Sequence, residues 1–165
     1  MIEEEPDRAK LAITQLSNIL TNSTMIEKAE TVEFRIELAL VKDYLELEHI
    51  RFEDRLQTDY DIDEDTLNLK VPPMMLQTLV ENAIKHGISK LIYGGLVKIT
   101  SRKNAGIHQL IIENSGNLVA NHQPYGFGIN STIERLGLLY GDKAIFNIEP
   151  LENTVVKATV SIPIS

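Results

Sequence analysis

Apolar positions along this chain change their spacing several times, and each change marks an element. Over residues 7–20, Ala9, Leu11, Ala12, Leu16, Ile19 and Leu20 follow helical spacing. Residues 21–28 read as a polar connector. A longer helix is expected over 31–52. Val32, Ile36, Ala39, Leu40, Asp43 and Leu47 sample one face of it, and Phe34, Leu38, Val41, Leu45 and Ile50 widen the apolar surface. Such a helix wants cover on more than one side, from its own domain or from a second copy. Residues 55–63 alternate weakly, as an edge strand does, and 67–71 lead into a further helix. Residues 97–102, 109–113, 144–149 and 155–162 read as strands. Asn104-Ala105-Gly106 and Glu152-Asn153-Thr154 are expected as hairpin turns. Helices on one side of such strands make an α/β two-layer sandwich, with a mixed, largely antiparallel sheet and extra helices preceding it.

The helix after residue 71 carries the most chemistry. Val71-Pro72-Pro73 blocks helix before it, and Pro73 suits a first helical turn. Met75, Leu76, Leu79, Val80, Ala83 and Ile84 should face a core. Gly87 is expected as the stop that follows the helix. Thr78, Asn82, Lys85 and His86 cluster on another face. An Asn82 oxygen can ligate Mg²⁺, which prefers oxygen ligands shared with phosphates. Lys85 is a mobile charge suited to phosphate. The bland alternative is an amphipathic helix with a Glu81–Lys85 surface pair, worth about 0.3–0.5 kcal/mol.

Two further segments bear on this. Gly126-Phe127-Gly128 precedes Asn130-Ser131-Thr132-Ile133-Glu134. Ser131 with Glu134 reads as a capping box, so a helix is expected to begin there and to stop at Gly141. Helix starts bind phosphate well, though a lone glycine pair is ordinary turn chemistry. Asn114-Ser115-Gly116 ends the strand His108-Gln109-Leu110-Ile111-Ile112-Glu113. Asn114 could accept from an adenine amino group, or simply begin a turn.

Composition narrows the classes. At 165 residues with 43% apolar content, the chain can bury a sizeable core as one domain plus an appendage. There are no cysteines, so no disulfides. A net charge of −8 argues against nucleic acid as a partner but not against a local positive pocket. No apolar run is long enough to span a membrane.

With these residues in view, the chain resembles the C-terminal cytoplasmic part of LytS-like sensor histidine kinases. Leu76-Gln77-Thr78-Leu79-Val80-Glu81-Asn82-Ala83-Ile84-Lys85-His86-Gly87 is similar to that group's N box, and Asn114-Ser115-Gly116 sits at its G1 box. Gly126-Phe127-Gly128 and the residues to Leu136 look like its G2 box. Tyr44-Leu45-Glu46-Leu47-Glu48-His49-Ile50-Arg51-Phe52 is similar to the stretch preceding its ATP domain. The resemblance implies a Bergerat-type ATP-binding fold. Residues 1–53 would be the helical end of a dimerisation and linker region, and 54–165 the ATP-binding catalytic domain. It implies ATP and Mg²⁺ as cofactors, with Asn82 ligating the metal and Lys85 and His86 near the phosphates. Asn82 and Lys85 would be the catalytic residues. Asn114 and Gly116 would meet adenine, and Gly126 and Gly128 would wrap the phosphates. Implied partners are an upstream phosphoacceptor helix, a second copy and a response regulator. The implied location is a cytoplasmic domain of a membrane-anchored parent.

The departures set the alternative. Asn114 replaces the usual aspartate. Leu118 and Pro124 stand where glycines are common, and Thr78 stands where related ATPases carry a catalytic glutamate. Without that glutamate, phosphotransfer or simple binding is favoured over ATP hydrolysis. Glu81 points about 100° away from Asn82 and is not expected to act as the base. None of the four histidines lies in a Pro-His-Phe-type acceptor motif. The chain is therefore expected to begin after the acceptor helix and not to phosphorylate itself. The alternative is a nucleotide-weak regulatory or dimerisation module of the same fold.

Overall fold

The computed structural model describes residues 6–26, 30–116 and 127–164. Helix α1 (Pro6–Ile26) runs on through most of the expected connector. Residues 21–26 contain no glycine or proline, and their weaker propensities cost only tenths of a kcal/mol each. Strand β1 (Val32–Glu33) pairs antiparallel with β3 (Lys70–Val71). Helix α2 (Phe34–Phe52) then starts later than the periodicity predicts. Its first N–H groups go instead to the neighbouring chain, Phe34 N to Leu69 O at 2.8 Å and Arg35 N to Leu67 O at 3.0 Å.

The main sheet has five strands in the order β2 (Leu56–Ile62), β4 (Gly95–Asn104), β5 (Ile107–Ser115), β7 (Val155–Pro163), β6 (Ile145–Leu151). Strand β2 is the expected edge strand and runs parallel to β4, while the other pairs are antiparallel. Alternation decides which face is covered. Val97 and Ile99, Leu110 and Ile112, and Ala158, Val160 and Ile162 point to one side and are buried. On that side lie α2, α3 (Met75–His86) and α4 (Phe127–Tyr140), with Leu45, Leu76, Val80, Ile84, Ile129 and Leu136 in the same core. The mixed two-layer sandwich is as expected. Packing, however, does not divide at residue 54. Helix α2 sends Phe34, Leu38, Leu40, Val41, Leu45 and Phe52 into the same core as the sheet.

The two expected hairpin turns are present. Ala105 and Gly106 close β4 onto β5 with φ of 50° and 79°, and residues 152–154 close β6 onto β7. Gly141, with φ 58°, follows α4 as expected. The expected capping box at Ser131 is not realised. Helix α4 begins at Phe127, so Ser131 lies inside it, and Thr132 bonds back to Gly128 O at 3.0 Å.

A polar chain crosses this core. The Thr66 hydroxyl donates to Asp63 O at 2.6 Å, and the Ser101 hydroxyl donates to Thr66 Oγ1 at 2.7 Å. Each hydroxyl has one proton, so Ser101 Oγ must accept from His108 Nε2 at 2.8 Å. That assigns the Nε2–H tautomer to His108. Burial pushes this imidazole down to about 4. Its ring stands edge-on to Phe34 at 5.2 Å.

Candidate functional site

Helix α3 carries the N-box residues, and its local sequence explains its position. Its apolar stripe, Met75, Leu76, Leu79, Val80, Ala83 and Ile84, is buried as the periodicity predicts. Asn82 is half-buried on the remaining face, with Lys85 and His86 exposed beyond it. Burial, with Lys90 and Lys85 nearby, holds the His86 imidazole below its ordinary value. His86 is therefore neutral at physiological pH. Glu81 takes a hydrogen bond from Gln77 at 2.9 Å rather than pairing with Lys85. It faces the 44–52 stretch of α2, where Tyr44 bonds Glu48; burial first, and then the charges of Glu48 and Glu81, raise the Tyr44 hydroxyl.

The far end of α3 meets the end of β5. Gly87 follows the last residue of α3, as expected, with φ −108° rather than a left-handed conformation. Its role is space. A Cβ there would lie 2.3 Å from Asn114 Nδ2, 2.5 Å from Ala83 O and 2.8 Å from Ser115 O. Gly116, with φ 138°, sits against it, and a Cβ on Gly116 would come 3.1 Å from Gly87 Cα. The β6–β7 turn holds Gly116 in place through a bond from its N–H to Thr154 O at 2.9 Å. Sequence reasoning assigned no site role to Gly87 or Thr154. Only the three-dimensional approach of α3 to β5 shows one.

Asn114 is 8% exposed. Its Nδ2 donates to Ser115 O at 3.0 Å. The opposite orientation would set two oxygens together, so Oδ1 is the atom left to accept from a ligand. Ser115 is pinned in turn, its hydroxyl accepting from Leu96 N at 2.9 Å.

The near end of α3 meets α4. A Cβ on Gly128 would lie 2.9 Å from Thr78 Cγ2, so the glycine permits close contact one turn before Asn82. A cleft of about 680 Å³ opens along this seam, lined by Pro73, Met74, Thr78, Gly128, Ser131 and Arg135 among others. Arg135 Nη1 donates across it to Pro73 O at 3.3 Å. Of the expected site residues that are described, Gly128 lines it and Asn82, Lys85, His86, Asn114 and Gly116 do not, so the cleft covers one end of the expected site. Gly126, Leu118, Pro124 and His122 lie outside the described residues.

Among the described residues no group of three or more His, Cys, Asp or Glu side chains could hold a metal. A hard cation at Asn82 would take its other ligands from phosphate and water, which suits Mg²⁺. His49 Nε2 lies 3.3 Å from Thr58 Oγ1, at the contact of α2 with β2. Among the described residues no helix is long and apolar enough to cross a membrane.

Comparisons with known proteins bear on the sequence and the fold. A family model described as "Histidine kinase" matches residues 1–56. Sensor histidine kinase YpdA of Escherichia coli (strain K12) is 32% identical over 86% of this chain and 26% of its own length. Sensor protein LytS of Enterococcus faecalis is 27% identical over 99% of this chain and 30% of its own. The chain thus spans less than a third of these two relatives. Among solved structures, the catalytic domain of histidine kinase ThkA matches with a TM-score of 0.61 at 21% identity. That match covers 82% of this chain and 96% of the ThkA domain.

Proposed function

We propose, for a chain that has the fold of histidine-kinase catalytic domains and is similar in sequence to LytS-like sensor kinases, that it is the ATP-binding catalytic module of a two-component sensor histidine kinase. The observation that carries this reading is the convergence on α3. Its C-terminal stop, Gly87, lies against Asn114 and Gly116, and Thr78 in its first turn lies against Gly128.

Each residue has a role that its chemistry fits. Asn114 Oδ1 accepts from the adenine amino group, and Gly116 lets the base approach. Asn82 supplies one oxygen to Mg²⁺, which neutralises phosphate charge when bound. Lys85 adds a point charge at the phosphates, with neutral His86 beside it. Gly128 brings its backbone N–H to the phosphates at the start of α4. Thr78 has no carboxylate with which to activate water, so transfer is favoured over hydrolysis. Such transfer depends on positioning and charge neutralisation. The phosphoryl group would pass to a histidine upstream of this sequence, and then to a response regulator's aspartate. Asn82 and Lys85 carry the catalysis in this reading, within a homodimeric, membrane-anchored parent whose catalytic part is cytoplasmic. Among the described residues the packed unit takes in 30–116 and 127–164, with α1 as its appendage.

The test is phosphate labelling of the full-length parent with γ-labelled ATP. Acid-labile label on an upstream histidine, lost in Asn82→Ala, is expected. Undiminished label in that variant contradicts the assignment. A parent that binds nucleotide but takes no label would move the reading to a regulatory module.

A further inference from the structure

Helix α3 has an unusual beginning. Pro72 and Pro73 supply no N–H, and Met74 takes the N-cap position with no side-chain acceptor. Met74 also has φ 66°, a left-handed conformation that costs a non-glycine residue about 1 kcal/mol or more. The N–H groups at this end need acceptors, and only Met75 N has a local one, Pro72 O at 3.4 Å. For Met74 and Leu76 the acceptor comes from α2. Glu37 is fully buried, and its two oxygens accept from Met74 N at 2.6 Å and Leu76 N at 3.2 Å.

The turn so held is also where α3 meets α4. Met74, Met75 and Thr78 line the cleft with Gly128, and Arg135 reaches Pro73 O. A helix of twelve residues moves as one piece. A shift at its first turn therefore displaces Thr78 against Gly128 and Gly87 against Asn114. We infer that Glu37 is a positioning residue for the nucleotide site: its carboxylate, bridging Met74 N and Leu76 N from α2, sets where α3 presents Asn82 and Lys85. The inference rests on the nucleotide reading above. Glu37 touches none of the proposed nucleotide contacts, and it lies in the stretch that the histidine-kinase model matches. It thus ties the preceding helical segment to the site.

The test compares the wild-type chain with Glu37→Gln, Glu37→Asp and Asn82→Ala. Three quantities are read: thermal unfolding, amide hydrogen exchange over residues 74–78, and calorimetric affinity for Mg-ADP well below the melting temperature. Glutamine keeps one acceptor and turns an amide toward the other N–H. The expected result for Glu37→Gln is a folded chain whose Met74 and Leu76 amides exchange about tenfold faster or more, with Mg-ADP affinity down about tenfold. Glu37→Asp, which keeps the charge but is shorter, should fall between. A purely structural role would lower the melting temperature and leave the affinity of the folded chain unchanged, and that result overturns the inference. Should the glutamine variant not fold, the aspartate variant decides by the same criteria. A wild-type chain that binds no Mg-ADP overturns this inference together with the nucleotide reading. Wild-type binding that is lost in Asn82→Ala but kept in both Glu37 variants overturns this inference alone.

Discussion

Asn82, Gly87 and His108 show three different ways in which one side chain, or its absence, shapes this molecule. Asn82 is half-buried, and truncating it disturbs no packed core. Asn82→Ala should therefore unfold at the wild-type temperature while Mg-nucleotide affinity falls about tenfold or more. Gly87→Ala should cost stability, because its Cβ would meet backbone and the packed Asn114 amide rather than a flexible tip. Denaturant titration should show it less stable by about 1–3 kcal/mol. His108 governs acid stability. Its folded value is lowered to about 4, so the unfolded chain binds the proton first. Stability is then present above the ordinary 6.5 and is lost as pH falls toward 4, by roughly 3 kcal/mol. Glu37 has the opposite sign. Burial raises it to about 6, against the pull of the Met74, Gln77 and Leu76 N–H groups. Its contribution is present below the ordinary 4.5 and is lost as pH rises through about 6, by roughly 2 kcal/mol. Urea unfolding of wild type, His108→Gln and Glu37→Gln across pH 4–7 separates the two. The wild type should lose ground to His108→Gln on acidification and gain ground on Glu37→Gln. Parallel curves would contradict both assignments.

At the scale of elements, local periodicity located the helices and strands, and contacts moved their ends. The buried stripe of α3 was legible because its spacing is regular and its neighbours are polar. The start of α2 was not, since it depends on bonds to residues 67–69. The start of α4 was misread for a related reason. Ser131 and Glu134 match a capping pattern, but Gly128 packed on Thr78 lets the helix begin a turn earlier. The hairpin turn between β4 and β5 was legible from Asn104-Ala105-Gly106. Its Ala105, at φ 50°, is strained where glycine would not be. Ala105→Gly should therefore be neutral to stabilising by up to about 1 kcal/mol, read as a raised unfolding midpoint. A clear loss of stability would mean that the turn is not as described.

At the scale of the whole molecule, the fold class and three of the motif segments were readable because chemistry and alternation coincide in them. Asn82 stands out as a polar side chain on the amphipathic α3, and Asn114 and Gly116 as residues at the end of β5. The scaffold that brings them together was not readable. Glu37 lies 37 residues before the N–H it caps, and Gly87 looks like an ordinary helix stop until β5 is placed against it. The acidic balance of −8 does not oppose a nucleotide site, because Lys85 and Lys90 gather at the end of α3. The measurement closest to the central claim is calorimetric titration of ADP and a non-hydrolysable ATP analogue into this chain, with and without Mg²⁺, beside Asn82→Ala. Magnesium-dependent binding that collapses in the variant is the predicted result. A well-folded chain that binds neither nucleotide at millimolar concentration would contradict the account.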